Sequence, residues 1–535
     1  MFGLHSLFQA FEYQAFVDFG YMMLLIYFVA MSAVTIYCLL QFHLLYLYKR
    51  YHRENPNIQY RQYDNTDESV PFVTVQLPMY NEMYVAERII DYVAAQEYPK
   101  DRFEIHVLDD STDETVGIVA AKVAALKEQG FLIEHIHRVN RQGHKAGALR
   151  EAQEVAKGEF VAIFDADFMP AVDFLEKTVP YFYESDDIGM VQTRWGHINA
   201  DYSILTKGQS LGIDGHFTIE QIARGGSGLW MNFNGTAGIW RKTCIYDAGN
   251  WSADTLTEDF DLSYRAELKG WRFKYIVDVV NPAELPATVS AYKSQQFRWC
   301  KGSIQTTVKL APTIFRTDLP WKVKLEALTH LTNYLVHPLM VINIIATLPV
   351  LYFSERLGNL PDAIIGIAAV FFSLGTFGPI AMYLVSQKVL YNRWFNRVAW
   401  MPVLTMIGTG IAVSNTRAVW QALIGKKSTF IRTPKLRIEG QKDKVAERMK
   451  YAGHVKLDKT PFLEFFMGVY SLMIIYTAFI FNRTMFVPFM VMYAAGFFYI
   501  SIASFYENFK EMRAKREFSM TAAAAAAIVG NSLKK

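Results

Sequence analysis

The sequence predicts an α/β domain that is inserted between transmembrane α-helices. Two observations support this fold class. Hydrophobic residues make up 52% of the 535 positions and charged residues 20%, which is intermediate between a soluble enzyme and a pure membrane bundle. Apolar, uncharged segments also flank a long stretch, about 43–322, that contains no comparable apolar run. The net charge of +3 is too small to indicate a nucleic-acid-binding protein.

The membrane segments set the orientation of the domain. The uncharged segment 21–42 is long enough to cross ~30 Å of hydrocarbon. Lys49, Arg50 and Arg53 follow it, so the positive-inside rule places that end in the cytoplasm. Further candidate spans lie at 329–353, 362–386, 461–481 and 485–505. The sequence therefore predicts about five crossings and a cytoplasmic domain.

The apolar segment 398–423 is ambiguous. Basic residues lie on both sides of it, so both flanks look cytoplasmic and a single crossing is disfavoured. Pro402, Asn415 and Arg417 also interrupt it, and its second half is amphipathic. We interpret it as an interfacial or re-entrant helix, with a sixth crossing as the alternative.

The cytoplasmic segment alternates between strand-like and helix-like runs. The strand-like runs are 72–77, 104–109, 131–137 and 160–165. Helix-like runs such as ETVGIVAAKVAALKEQG and KAGALREAQEVAKG lie between them. This alternation predicts a mainly parallel sheet, and ligands of such sheets bind at the carboxyl ends of the strands.

Acidic residues stand where two of these strands end: Asp109 with Asp110, and Asp165 with Asp167. An Asp-x-Asp at a strand end suits Mg²⁺ or Mn²⁺, which prefer carboxylate oxygens. The alternative is that Asp165 and Asp167 only cap a helix beginning near Ala171.

Phosphate groups would be the natural partners of such a cation. Neither GxxxxGK[ST] nor GxGxxG occurs, so the metal and side chains such as Lys145 and Arg298 would have to neutralise a phosphate. A nucleotide diphosphate-sugar fits this arrangement, because the metal could stabilise the leaving diphosphate as a Lewis acid.

Two later motifs add to the pattern. Glu258 and Asp259 precede an amphipathic helix, where capping, with Asp261 as a further candidate cap, is the alternative role. Gln295, Arg298 and Trp299 then form a Gln-x-x-Arg-Trp motif just before the amphipathic stretch KGSIQTTVKLAPTIF.

Taken in order, the motifs VLDDSTDET, HKAGAL, FDAD, VQTRWGHIN, NGTAGIWR, TED and QQFRW resemble those of the family 2 glycosyltransferases. The resemblance covers about residues 70–310 and is greatest to the membrane-embedded processive synthases of cellulose and glucomannan type. QLPMYNE and NGTAGIWR are most similar to the glucomannan-synthase branch.

The resemblance implies a GT-A type, nucleotide-binding mixed sheet and a processive, inverting hexosyltransferase. Such an enzyme would polymerise a β-linked glucan or mannan from a nucleotide diphosphate-sugar, with Mg²⁺ or Mn²⁺, and translocate it across the plasma (inner) membrane. UDP-glucose is the favoured donor and GDP-mannose the alternative. The other partners would be the growing polysaccharide and membrane lipids, with no nucleic acid. A nonprocessive glycolipid-forming transferase is the rival function.

The resemblance also assigns roles to residues. The nucleotide-sugar would be bound by Tyr80, Glu82, Asp109, Lys145, Asp165 and Arg298. Asp165 and Asp167 would bind the metal, and Asp259 would be the catalytic base. Glu258, Gln295 and Trp299 would bind the acceptor.

The segment KKSTFIRTPK, 426–435, resembles the gating loop of cellulose synthase. Its candidate contacts are Phe430, Arg432, Thr433 and Lys435. An exposed basic loop lying on anionic lipid is the alternative.

These interpretations divide the chain into segments. The predicted divisions are 1–50 (N-terminal segment and first span), 51–300 (catalytic domain), 301–326 (interfacial helices), 327–397 (spans), 398–460 (re-entrant helix and loop), 461–510 (spans) and 511–535 (cytoplasmic tail). Polar and aromatic candidates for lining a polymer channel are Asn333, Tyr334, His337, Tyr470 and Tyr476.

Overall fold

The computed structural model describes residues 2–52, 70–356, 362–428, 432–440, 443 and 459–532. Among them, one sheet of seven strands forms the centre of the domain that follows the first long helix. The strands are β1 (Val73–Met79), β2 (Phe103–Asp109), β3 (Ile133–His137), β4 (Phe160–Ile163), β5 (Ile188–His197), β6 (Gly238–Arg241) and β7 (Arg272–Ala283).

The strand order is β3-β2-β1-β4-β6-β5-β7. The first four strands pair in parallel, and they correspond to the four runs that the sequence predicts. β1, β2 and β4 are buried along their whole length, as expected for parallel strands covered by helices on both faces. The prediction of a parallel sheet is therefore confirmed for this half, whose edge is the predicted ligand-binding edge.

The other half of the sheet departs from the mainly parallel expectation. β6 runs antiparallel to both of its neighbours, β4 and β5, whereas β5 and β7 pair in parallel with two register shifts. The sheet is thus mixed, in agreement with the fold that the family resemblance implies. Pattern alone did not predict these strands, since β6 has only four residues and β7 carries polar residues among its apolar ones.

Helices cover both faces of the sheet and form a separate core on each. The domain helices are α2 (Ala86–Ala94), α3 (Thr115–Glu128), α4 (His144–Val155), α5 (Phe174–Thr178), α6 (Ile204–Gly215), α7 (Gln221–Ser227), α8 (Lys242–Asp247) and α9 (Glu258–Leu268). One core packs α2 and α3 on β1 and β2. The other packs α4, α8 and α9 on β4 and β6.

Long helices precede and follow the domain. They are α1 (Phe2–Tyr51), α10 (Val289–Arg316), α11 (Trp321–Leu331), α12 (Val336–Arg356), α13 (Asp362–Leu390), α14 (Trp394–Val398), α15 (Met401–Gly410), α16 (Ala412–Leu423), α17 (Thr460–Ile480) and α18 (Val487–Ser532). The predicted division at residue 300 falls inside α10, which runs without a break from the sheet domain into the amphipathic stretch.

Four helical segments in the described part of the chain are long and apolar enough to cross a membrane: Gln14–Tyr51, Asn333–Phe353, Thr460–Ile480 and Thr484–Lys510. They coincide with four of the five predicted spans. The fifth, 362–386, lies within α13, many of whose side chains are outside the described residues. The ambiguous segment is a helix pair bent by 43° at Ile411, a geometry compatible with a broken span or a re-entrant loop, so the crossing count stays a prediction.

Candidate active site

A cleft opens where β1, β2 and β4 end, at the edge of the sheet that the strand pattern indicates. Its empty volume is about 1280 Å³, counting space open to solvent. All the sequence-predicted site residues line it except Asp109 and Phe430. Phe430 lies outside the described residues. The cleft therefore gathers side chains from positions 80 to 435 of the chain.

Asp165 and Asp167 follow β4, and each forms an ion pair with a lysine. The Lys145 Nζ atom lies 2.5 Å from Asp165 Oδ1 and donates to the carbonyl oxygen of Gly235 at 2.8 Å. The Lys435 Nζ atom lies 2.5 Å from Asp167 Oδ2. Helix α5 begins only at Phe174 with Asp173 at its N-cap, so neither Asp165 nor Asp167 caps it.

The carboxylates are suited to a divalent cation. Asp167 is 2% exposed, and its Oδ1 atom is buried without a hydrogen-bond partner among the described residues. A buried oxygen of this kind needs a partner, and carboxylate oxygens match Mg²⁺ or Mn²⁺. The described residues contain no group of three or more His, Cys, Asp or Glu side chains arranged to hold a metal. Asp165 and Asp167 therefore fit a cation whose remaining ligands come from phosphates and water.

Asp259 lies in the first turn of α9, where the sequence TED enters the helix. Burial, and next the neighbouring Glu258 carboxylate, raise the pKa of Asp259 to about 7. Its Oδ1 atom accepts a hydrogen bond from the Phe260 backbone N–H at 2.8 Å. Asp261 faces elsewhere and forms an ion pair with Arg265 at 2.8 Å. Asp259 is thus a carboxylic acid that can hold or release a proton near neutral pH.

A glycine permits the Asp259 carboxylate to reach the cleft. Gly235, in the loop before β6, has φ +82°, and a Cβ atom there would lie 2.8 Å from Asp259 Oδ2. A side chain at this position would be strained by the backbone conformation and would also displace the carboxylate. The lack of a side chain at Gly235, in the NGTAG stretch, therefore leaves space for the Asp259 carboxylate.

Helix α10 presents Gln295, Arg298 and Trp299 to the same cleft. The helix packs tightly on the TED segment, because a Cβ atom at Gly302 would lie 2.5 Å from the Thr257 side chain. The Gln305 amide oxygen also accepts a hydrogen bond from the Leu256 backbone N–H at 3.0 Å. These contacts hold α10, just past the Gln-x-x-Arg-Trp motif, against the segment that leads to Asp259.

Residues 432–439 start within the predicted gating loop (426–435), continue past its end and cross the cleft; we call this segment the strap. Arg432 donates to the Asn81 carbonyl oxygen at 2.6 Å and forms an ion pair with Glu82 at 3.3 Å. The Glu284 carboxylate accepts hydrogen bonds from the backbone N–H groups of Leu436 and Arg437, at 3.1 and 2.8 Å. These contacts place the basic side chains of the strap on carboxylates of the protein, rather than on an exposed surface. Its gating role stays a prediction.

Two acids beneath the strap have raised pKa values, and the strap contacts oppose the rise. Burial raises the pKa of Glu82 to about 7, although Arg432 and Lys435 act in the opposite direction. Burial, and next Asp167, raise the pKa of Glu284 to about 7. Sequence reasoning missed Glu284, because no motif surrounds it in NPAELPA.

Asp109 lies behind the wall of the cleft. It is fully buried, and its carboxylate contacts His135 Nε2 at 2.9 Å and the Ser111 backbone N–H at 2.8 Å. Asp110 lines the cleft instead and accepts two hydrogen bonds from Arg138, at 2.8 and 2.7 Å. Successive residues at a strand end point in opposite directions, so only one of the two acids can face the cleft. The nucleotide role predicted for Asp109 stays a prediction.

The candidate channel residues are not gathered on one surface. The rings of Tyr334 and His337 stack with centroids 6.1 Å apart, and His337 Nε2 lies 2.9 Å from Asn415 Nδ2. Tyr470 donates to the Ile345 carbonyl oxygen at 2.7 Å. Tyr476 is 70% exposed on the outer face of α17, so it does not belong to a channel lining with the others.

Comparison with known proteins identifies the domain. The model of the family described as "Glycosyltransferase like family 2" matches residues 71–302. The chain is 42% identical over 250 residues to glucomannan 4-beta-mannosyltransferase 1 of Oryza sativa subsp. japonica, covering 46% of this chain and 48% of that protein. It is 40% identical over 270 residues to glucomannan 4-beta-mannosyltransferase 1 of Cyamopsis tetragonoloba, covering 50% of this chain and 51% of that protein. The chain thus spans about half the length of the curated relatives it matches.

Among solved structures, a mannosyltransferase from Pyrobaculum calidifontis in complex with GDP-Man and Mn²⁺ superposes with a TM-score of 0.49 at 22% identity, covering 74% of this chain and 100% of that one. The family match and the site geometry agree on the same segment. This chain therefore carries a family 2 glycosyltransferase domain, over residues 71–302.

Proposed function

We propose that this protein is a processive, inverting hexosyltransferase that polymerises a β-linked mannan-type polysaccharide from a nucleotide diphosphate-sugar. The observation that carries the proposal is the meeting of three groups in one cleft. These are the Asp165–Asp167 pair, the Asp259 carboxyl group and the α10 residues Gln295, Arg298 and Trp299. A donor-binding edge, an acceptor-binding helix and a single base in one cleft are the parts that direct glycosyl transfer needs.

The names of the similar proteins change the donor that we expect. The family resemblance puts UDP-glucose first, whereas the relatives that match about half of this chain are named 4-beta-mannosyltransferases. A β-linked mannose formed with inversion requires an α-linked mannosyl nucleotide. We therefore assign GDP-mannose as the donor.

Asp259 acts on the acceptor. With a pKa of about 7, its carboxylate is partly ionised at neutral pH and can take the proton of the acceptor hydroxyl. As that proton leaves, the acceptor oxygen forms a bond to the anomeric carbon, and the bond from that carbon to the diphosphate breaks. One displacement inverts the anomeric centre, so no second carboxylate is needed as a nucleophile.

Asp165, Asp167, Lys145 and Arg298 act on the leaving group. Asp165 and Asp167 would hold the Mg²⁺ or Mn²⁺ ion, which when bound supplies Lewis-acid stabilisation of the leaving diphosphate. Lys145 can neutralise the negative charge that develops on the leaving diphosphate. Burial alone would lower the pKa of Lys145, but Asp165 and then Glu258 keep that pKa raised. It therefore remains an ammonium group that can donate to phosphate oxygens.

The α10 residues hold the growing chain. Trp299 offers an aromatic face that suits the apolar C–H patch of a sugar ring, and Gln295 offers hydrogen bonds to sugar hydroxyls. A chain gripped beside Asp259 can stay bound after each transfer. The candidate spans that flank the domain support transfer at a membrane, and we propose export of the polymer across the plasma membrane.

The test is product analysis with one donor at a time. Purified full-length protein with GDP-mannose should release GDP and form an alkali-resistant β-linked mannan, whereas UDP-glucose should give little polymer. Polymer from UDP-glucose alone would overturn the donor assignment. A single sugar attached to lipid would replace polymer synthesis by the glycolipid function.

A further inference from the structure

The helix that carries the acceptor residues is fixed by two carboxylates from the last two candidate spans. Helix α10 turns by 100° per residue, so Lys293 and the group Gln295, Arg298 and Trp299 lie on opposite faces. The face with Gln295, Arg298 and Trp299 lines the cleft. The face with Lys293 contacts α17, and the N-terminus of the helix contacts α18.

Glu507 of α18 caps the start of α10. Its Oε1 atom accepts a hydrogen bond from the Val289 backbone N–H at 2.8 Å. Its Oε2 atom accepts from the Ser290 backbone N–H at 2.8 Å and from the Ser290 hydroxyl group at 2.5 Å. The first N–H groups of a helix have no partner within the helix, and a negative charge there also complements the helix dipole.

Glu464 of α17 pairs with the side of α10. The Lys293 Nζ atom lies 2.8 Å from Glu464 Oε2, and the two side chains are 9% and 0% exposed. A buried pair contributes little net stability compared with an apolar replacement of the same shape, yet removing one partner is costly. An acid in the second turn of an apolar span therefore needs a reason other than general stability.

The two contacts act on the same helix from two directions. One fixes the position of α10 along its axis, and the other fixes its rotation about that axis. Val289 and Tyr292 of α10 also pack in one apolar cluster with Ile500 of α18. A movement of α17 or α18 would therefore shift the acceptor residues Gln295 and Trp299 relative to Asp259. Of the proposed donor contacts only Arg298 lies on α10, whereas the residues after β1 and β4 would stay in place.

We propose that Glu464 and Glu507 are positioning residues that set the acceptor site from the membrane helices. Through α10, they hold Gln295 and Trp299 in position beside Asp259. Movement of the polymer past the membrane helices would therefore alter the position of the acceptor for the next transfer. The inference rests on the proposed function for its acceptor, a β-linked oligosaccharide, and it makes no claim about the donor side.

The test separates acceptor binding from donor binding in the full-length protein. The probes are β-1,4-linked mannohexaose and GDP-mannose, with affinities measured by calorimetry and transfer by GDP release. Glu464→Gln and Glu507→Gln should each weaken mannohexaose binding by about tenfold, while the affinity for GDP-mannose changes by less than about twofold. The transfer reaction should show a raised acceptor KM in the same variants.

A charge swap distinguishes positioning from a general loss of structure. Lys293→Glu alone places two acids together and should abolish mannohexaose binding, and Lys293→Glu with Glu464→Lys should restore it. The matched control is Glu326→Gln, which breaks another buried pair, with Arg224 at 3.7 Å, that involves no residue of α10. It should lower thermal stability without an acceptor-selective effect.

The remaining outcomes are distinct. If the variants weaken both ligands equally, or if the swap does not restore binding, the positioning role is wrong. If the wild type binds no oligosaccharide, α10 is not an acceptor helix, and the inference fails with it. If the wild type binds both ligands as described but transfers nothing, the proposed function fails alone.

Discussion

The Lys435 ammonium group lies 2.5 Å from the Asp167 carboxylate although 268 residues separate the two positions. The pair joins the strap to the strand-end acid that would bind a metal. Burial alone would lower the pKa of Lys435, but Asp167 and then Glu82 keep it raised. A positive charge of the protein therefore stands beside the carboxylate to which a divalent cation would bind.

This pair predicts opposite effects of one substitution on two ligands. Lys435→Met removes a competing cation, so Mn²⁺ alone should bind about tenfold more tightly. GDP should bind less tightly, because the ammonium group is then unavailable to the diphosphate. Titration with Mn²⁺ and with GDP measures both affinities, and Lys122→Met, whose lysine pairs with Asp91, should change neither. Weaker Mn²⁺ binding in Lys435→Met would contradict this account.

Asp167→Asn should remove nearly all turnover. The amide keeps the shape of the side chain but withdraws the negative charge that holds the cation, and it also leaves Lys435 without its ion pair. We expect a loss of about 10²-fold or more in the rate of GDP release, with a retained thermal transition showing that the fold persists. Full wild-type activity in excess chelator would rule out the metal.

The contrast between neighbouring acids shows what sequence could and could not predict. Short-range patterns located the ends of β2 and β4, the TED turn and the α10 motif, because each depends on residues a few positions apart. The choice between Asp109 and Asp110 depends on which side chain the last pleat of β2 turns toward the cleft, and that side chain is Asp110, which binds Arg138. Contacts such as Lys435 with Asp167 and Glu507 with Ser290 depend on tertiary packing, which leaves no local signal.

The rate of transfer should rise with pH through about 7. Asp259 must be ionised to accept a proton, and its pKa of about 7 means that the protonated, inactive form dominates below that value. The value of kcat/KM for the acceptor should therefore increase with unit slope up to pH about 7 and level off above it. Glu258→Gln removes a like charge that raises this pKa, so its rising limb should move to lower pH. A flat profile between pH 5.5 and 8 would exclude Asp259 as the titrating group.

Asp259→Asn should abolish transfer and preserve donor binding. An amide cannot accept the proton of the acceptor hydroxyl, so we expect a loss of ~10²–10⁴-fold or more in transfer rate. The affinity for GDP-mannose should stay close to that of the wild type, because Asp259 faces the acceptor. Asp247→Asn, at an exposed acid bonded to Trp271, serves as the control for charge removal. Loss of GDP-mannose affinity in Asp259→Asn would move this residue to the donor site.

Trp299→Ala should separate elongation from donor cleavage. Trp299 belongs to the face of α10 that lines the cleft, and removing its ring leaves Asp259 and the acids after β4 intact. A growing chain would lose its stacking surface and dissociate early, whereas water could still attack the donor. The product should therefore shorten, and the ratio of GDP released to sugar polymerised should rise by about tenfold, an effect of the size expected for one aromatic contact.

The same variant can be followed across a membrane. In vesicles with the sheet domain facing the donor, the wild type should deliver polymer to the opposite side, where an added β-mannanase digests it. Trp299→Ala should leave short products on the donor side, because a chain that dissociates from α10 cannot be driven into the membrane helices. Polymer that stays on the donor side in the wild type would show that the spans anchor the enzyme without translocating its product.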